Sequence, residues 1–107
     1  EYHLLCHQLF QLKASTILKL LKSLDTFRKP EQVIYFAQAC LCDARGRLHF
    51  EEKPYPQADV LMSLALQLAN YKIEIPEGLQ GKAIAEHLDR ERSRWIADFM
   101  KEVPQND

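Results

Sequence analysis

Apolar residues recur with helical spacing along nearly all of this chain, and only three glycines, all between Gly46 and Gly81, punctuate it. Strands joined by tight hairpins need glycine-containing turns at short intervals, and these are missing. Spacing of i, i+3, i+4, i+7 instead gives each segment one apolar stripe. The fold class expected is all-α, a bundle of four to five helices. A chain of 107 residues supplies one domain, so the stripes must meet in one core.

The first helix is expected from about Glu1 to Phe10, with Leu5, Leu9 and Tyr2 on one face. A change of apolar phase at Lys13-Ala14-Ser15 predicts a break. Ser15 then reads as an N-cap, because Ile17, Leu18, Leu20, Leu21 and Leu24 follow in helical register. Pro30 belongs in the first turn of a third helix, with Glu31 at the positive end of its dipole. That helix buries Val33, Ile34, Ala37, Cys40 and Leu41 and is expected to stop near Gly46. From Leu48 to Pro56 the chain reads as irregular, since Pro54 and Pro56 keep it extended. Pro56 and Asp59 open a fourth helix bearing Val60, Leu61, Leu64, Ala65 and Leu68. A loop at residues 73–78 precedes a fifth helix from Gly81 to Lys101 or Val103. Its inward positions are Ile84, Leu88, Trp95, Ile96, Phe99 and Met100, and Trp95 is expected to be fully buried.

Fourteen Lys and Arg stand against fifteen Asp and Glu, for a net charge of -1. This excludes coating of nucleic acid by bulk charge and leaves local clusters as the only electrostatic route. Apolar content of 47% excludes a disordered chain. No apolar run approaches the ~18–20 residues of a membrane span. Three cysteines, Cys6, Cys40 and Cys42, with no signal segment before them fit a reducing cytoplasm. The start at Glu1-Tyr2, without Met and already helical in pattern, fits a piece of a longer protein as well as Met processing or a trimmed tag.

His3, Cys6 and His7 share a helical face, but they lack the paired elements of a zinc site, and packing explains them better. Gly78, Gly81 and Lys82 lead into a helix; they suit a plain loop-to-helix junction or an anion site, and Ala83 breaks the P-loop pattern. The basic residues are concentrated. Lys13, Lys19, Lys22, Arg28 and Lys29 face one acid, Asp25, and Arg45 and Arg47 follow. Such a face is either solvated surface or a set of phosphate contacts. Asp43 and Arg45 also suit an ion pair. No grouping for nucleophilic, metal-hydrolytic or paired-carboxylate catalysis is visible, so the residues favour a binding module. Trp95, Phe99 and Met100 near one end leave a protein-interaction or dimerisation module as the rival reading.

Four stretches in order resemble the C-terminal body and tail of bacterial CCA-adding enzymes, the tRNA nucleotidyltransferases. They are STILKLLKSLDTFRKPEQV at 15–33, DARGR at 43–47, YPQ at 55–57 and GKAIAEHLDRER at 81–92. The likeness covers roughly Lys13 to Lys101. It is greatest to the multifunctional form, which is similar in carrying a His-Asp phosphohydrolase domain ahead of this region. The resemblance implies the C-terminal piece of an enzyme that adds C, C and A to tRNA 3′ ends from CTP and ATP with magnesium. Its catalytic head would lie elsewhere, leaving this piece non-catalytic and without a cofactor of its own. Residues 1–12 would be the end of the phosphohydrolase domain or the first bundle helix, 13–103 the tRNA-binding domain, and 104–107 a flexible tail. The implied partners are the acceptor and TΨC arms of tRNA and the missing head, with a homodimer as a further option. Charge nominates Lys19, Lys22, Arg28, Lys29, Arg45, Arg47, Lys82 and Arg92 for RNA contact. Relatives show a His-Asp pair about where His3 and Leu4 stand, and Leu4 in place of the carboxylate counts against a metal role for His3.

Overall fold

Leu12 and Lys13 divide the first apolar stretch in two. Both are extended, with ψ of 148° and 152°, so no helical ladder passes through them. The computed structural model describes residues 2–48 and 54–104, with the backbone alone at 47 and 48. Among the described residues there are five α-helices and no strand. They are α1 (Tyr2–His7), α2 (Ala14–Ser23), α3 (Glu31–Leu48), α4 (Pro56–Ala69) and α5 (Lys82–Glu102), and a 3₁₀ turn at Leu9–Gln11 follows α1. The fold is the all-α bundle that the apolar spacing predicts. No helix among these residues is long and apolar enough to cross a membrane.

The expected break between the first two segments is present, but the caps differ. α1 ends at His7 rather than Phe10, and the 3₁₀ turn carries Leu9 into the core. Tyr2, assigned to the buried face, is 50% exposed, and Cys6 occupies that face instead. Ser15 lies inside the first turn of α2 and is not its cap. Lys13 is the N-cap and makes no side-chain capping bond. The start is set by Leu12 and Ile17, one residue before the cap and four after it, which join the same apolar cluster. That is a hydrophobic staple, which orients the incoming chain without a capping hydroxyl.

α2 stops through its backbone. Thr26 N–H reaches back to the carbonyl of Leu21 at 3.1 Å, and Asp25 N–H to that of Lys22 at 3.0 Å. This paired closure requires a left-handed residue just past the C-cap Leu24, and Asp25 there has φ of 58°. A side chain there costs about 1–2 kcal/mol against a right-handed backbone. The buried Thr26 hydroxyl adds a second bond to the Leu21 carbonyl at 2.7 Å.

Pro30 stands one residue before α3 rather than in its first turn, still ahead of the hydrogen-bond ladder that its missing N–H could not join. Gly46 does not end this helix, which runs through it to Leu48. A glycine stops a helix by turning left-handed, and Gly46 does not. Leu48, expected in an irregular stretch, is therefore helical. Pro54 and Tyr55 are non-helical as expected, while the expectations for residues 49–53 and 105–107 lie outside the described residues. α4 begins with Pro56 at its first position and Asp59 in its first turn. Gly81 caps α5 with φ 56° and ψ -125°, a conformation that glycine alone takes readily. This backbone need accounts for a glycine at the loop-to-helix junction.

α1, α3 and α4 pack together, while α2 lies on α5 and α4 also touches α5. The molecule is elongated, 54 × 26 × 21 Å. Leu9, Ile17, Leu20, Leu21, Leu61, Leu64, Leu68 and Ile96 are fully buried and belong to one apolar cluster drawn from both groups. Truncating any of them to alanine costs about 2–5 kcal/mol. Trp95 is not among them, contrary to its expected full burial. It is partly exposed, stacked between Tyr71 at 6.0 Å and Phe99 at 5.3 Å between ring centroids. α5 meets both α2 and α4, so its most buried position is Ile96. Trp95, about 100° round the helix, sits at the margin of that contact.

Candidate nucleic-acid interface

The basic residues nominated from charge fall into two sets. Lys19 and Lys22 share one face of α2, a turn apart. Lys22 Nζ lies 2.6 Å from Asp89 on α5, so it ties the two helices together. Phe27, in the turn after α2, lies beneath the guanidinium of Arg92 at 3.8 Å, a second tie between the same elements. Burial lowers the Arg92 pKa, with Asp89 acting the other way; a guanidinium so placed still carries its charge. Arg28 bonds Asp25 through Nε at 3.0 Å and Nη2 at 2.9 Å, both to Oδ2. Lys19 and Lys29 are exposed. Lys19, Lys22, Arg28, Lys29 and Arg92 thus belong to one edge, built from α2, the turn after it and α5.

The remaining three lie apart in the chain. Lys82 opens α5, 89% exposed and 3.9 Å from Glu86. It is seven residues from Asp89, so it shares that face at about 10 Å along the axis. Arg45 is on the far half of α3. It lines a shallow cleft of about 330 Å³ with Gln38, Leu41 and the start of α4. The side chain of Arg47 lies outside the described residues.

A second polar group has no signature in the local sequence. His7 Nε2 donates to the Asp43 carboxylate at 2.9 Å, and Nδ1 lies 2.6 Å from the Tyr55 hydroxyl. With the proton on Nε2, Nδ1 accepts a hydrogen bond from the Tyr55 hydroxyl. Tyr55 Oη also lies 3.5 Å from Cys6 Sγ, and Gln57 Nε2 donates to the His7 carbonyl at 3.1 Å. Three elements distant in sequence, α1, α3 and the start of α4, meet at this knot. Burial, then the neighbouring Cys6, pushes the Tyr55 phenol well above its ordinary range, and burial does the same to the Cys40 thiol. Both groups stay neutral. Asp43, weighed as a partner for Arg45, is bonded to His7. Only the YPQ stretch signalled Tyr55, and nothing in the local sequence pairs His7 with Asp43.

His3 is exposed, with its ring 5.6 Å from that of Phe36. No group of three or more His, Cys, Asp or Glu side chains placed to hold a metal occurs among the described residues. Cys40 is buried and Cys42 exposed, as a helical C-x-C requires.

Curated relatives match nearly the whole chain. It is 43% identical over 98 residues to the multifunctional CCA protein of Acinetobacter baumannii, covering 91% of this chain and 24% of that protein. To the protein of the same name from Alkalilimnicola ehrlichii it is 42% identical over 106 residues, 97% of this chain and 26% of that protein. The corresponding figures for Pseudomonas fluorescens are 39% over 104 residues, 95% and 25%. No family model matches the chain. No solved structure matches it either. The chain spans about a quarter of the length of the curated relatives it matches. Helical patterning alone does not produce identity of this order along nine-tenths of a sequence; the chain is a homologue of one region of the multifunctional CCA proteins.

Proposed function

We propose that this chain is the C-terminal helical region of a CCA-adding tRNA nucleotidyltransferase and that it grips tRNA for a catalytic head outside it. The observation that carries this reading is the similarity to multifunctional CCA proteins along nearly the whole chain and a quarter of theirs. In this reading the head binds CTP, ATP and magnesium and joins the nucleotides. The enzyme works in the cytoplasm, and its phosphohydrolase activity belongs to the domain before this region. The 107 residues contribute affinity and orientation, not chemistry. The edge formed by α2, the following turn and α5 supports the assignment, because exposed cations in a neutral chain suit phosphate contacts on a folded RNA. Lys19, Arg28, Lys29 and Lys82 are the outermost of the nominated contacts. Lys22 and Arg92 also hold the helices, and Arg45 and Arg47 are nominated separately, on α3.

Titration of a labelled tRNA transcript at two salt concentrations tests this. Binding is expected to be salt-sensitive and to fall several-fold when Lys19 and Lys29 are replaced by glutamate. The salt slope should shrink by roughly one for each phosphate that is no longer neutralised. No binding at low salt sinks the reading for this chain. A second reading, a protein-interaction or homodimerisation module, is favoured by the exposed Leu66, Tyr71 and Ile75. Sedimentation separates the two: a monomer that binds tRNA supports the first, and a stable dimer indifferent to tRNA supports the second.

A further inference from the structure

Asp25 stands in the left-handed backbone that ends α2, where glycine is the least strained residue. Its ion pair with Arg28 does not account for it. The two side chains are 45% and 75% exposed, and pairs so exposed add little to stability. The pair does determine direction. Nε and Nη2 converge on one carboxylate oxygen, Oδ2, at 3.0 and 2.9 Å. A guanidinium is planar, so gripping it along one side fixes the whole fork. Its end-on edge, formed by Nη1 and Nη2, keeps donors with the spacing of two phosphate oxygens. The turn that carries this fork is itself anchored: Thr26 is buried with its hydroxyl bonded, and Phe27 lies against Arg92. Lys29 is exposed one residue beyond Arg28.

We propose that Asp25 is a positioning residue, which holds the guanidinium of Arg28 in the orientation that meets an RNA backbone phosphate. This rests on the reading of the chain as a tRNA-binding region and adds to it a carboxylate that strengthens binding to a polyanion. Charge and geometry here have opposite signs. Removing an acid beside a phosphate strengthens binding if charge alone matters, and weakens it if the acid aims the arginine.

The test is Asp25→Gly, with Asp25→Asn, Arg28→Ala and the Asp25→Gly/Arg28→Ala pair, titrated against a tRNA transcript over a range of salt. Glycine relieves the backbone, so the melting temperature is expected to hold or rise. Affinity is expected to fall about threefold or more, with the salt slope reduced by about one, as for Arg28→Ala. Asp25→Asn should fall between Asp25→Gly and the parent chain. The double variant should bind no more weakly than Arg28→Ala alone, because both changes abolish the same phosphate interaction. Binding by Asp25→Gly as tight as or tighter than the parent chain overturns the proposal and leaves the tRNA-binding reading standing. So does a double variant whose affinity falls by the sum of the two single effects. Absence of salt-sensitive binding by the parent chain takes down both.

Discussion

The knot around His7 and the edge around Arg28 are both polar, and they are built to opposite rules. In the knot, three groups from α1, α3 and the start of α4 satisfy one another, with His7 only 19% exposed. On the edge Lys22, Arg28 and Lys82 are exposed, their partners lie one turn away or on one neighbouring helix, and water competes for each of these pairs. A bond sheltered from water retains much of its strength, whereas an exposed pair is weakened by solvent and screened by salt. The knot therefore holds the fold together. Apart from the ties made by Lys22 and Arg92, the edge contributes little to the fold, and its outermost charges are available to a ligand.

That contrast breaks most readily at His7. His7→Ala removes the link between Asp43 and Tyr55 and is expected to cost about 2–3 kcal/mol, or roughly 10 °C in melting temperature by circular dichroism. A shift of under ~2 °C would mean that the knot does not hold its three elements. Tyr55→Phe should cost less, about 1 kcal/mol, since it deletes one hydroxyl and keeps the edge-on ring contact with His7. Both losses should persist in ~1 M salt, where exposed pairs are screened. The smallest effect belongs to the edge. A double-mutant cycle of Lys22→Ala with Asp89→Ala should give a coupling of about 0.2–1 kcal/mol that vanishes in high salt. A larger, salt-independent coupling would place Lys22 with the structural residues and remove it from the RNA contacts.

Much of this was legible in local sequence. The helix count, the break near Lys13, Pro56 at the start of α4 and the loop before α5 all follow from spacing and from residues whose backbones have few options. The errors share a cause. Ser15 looked like a cap, but Leu12 and Ile17 act through tertiary contact. Gly46 looked like a stop, but a glycine ends a helix only if the chain turns there. Trp95 looked buried because an apolar stripe gives a face, not which residue on it lies deepest.

The charge pattern located the basic residues around α2 but could not say which of them are committed. Lys22 meets Asp89 across 67 positions, and His7 meets Asp43 across 36; no local pattern encodes either. By itself the sequence determined an all-α chain, with helical segments where apolar stripes had to be covered and a cationic stretch too dense for its acids. Only the tertiary structure decided which polar groups are sheltered and which face water. Shelter depends on what other segments bring to a side chain, and that is settled when the helices pack.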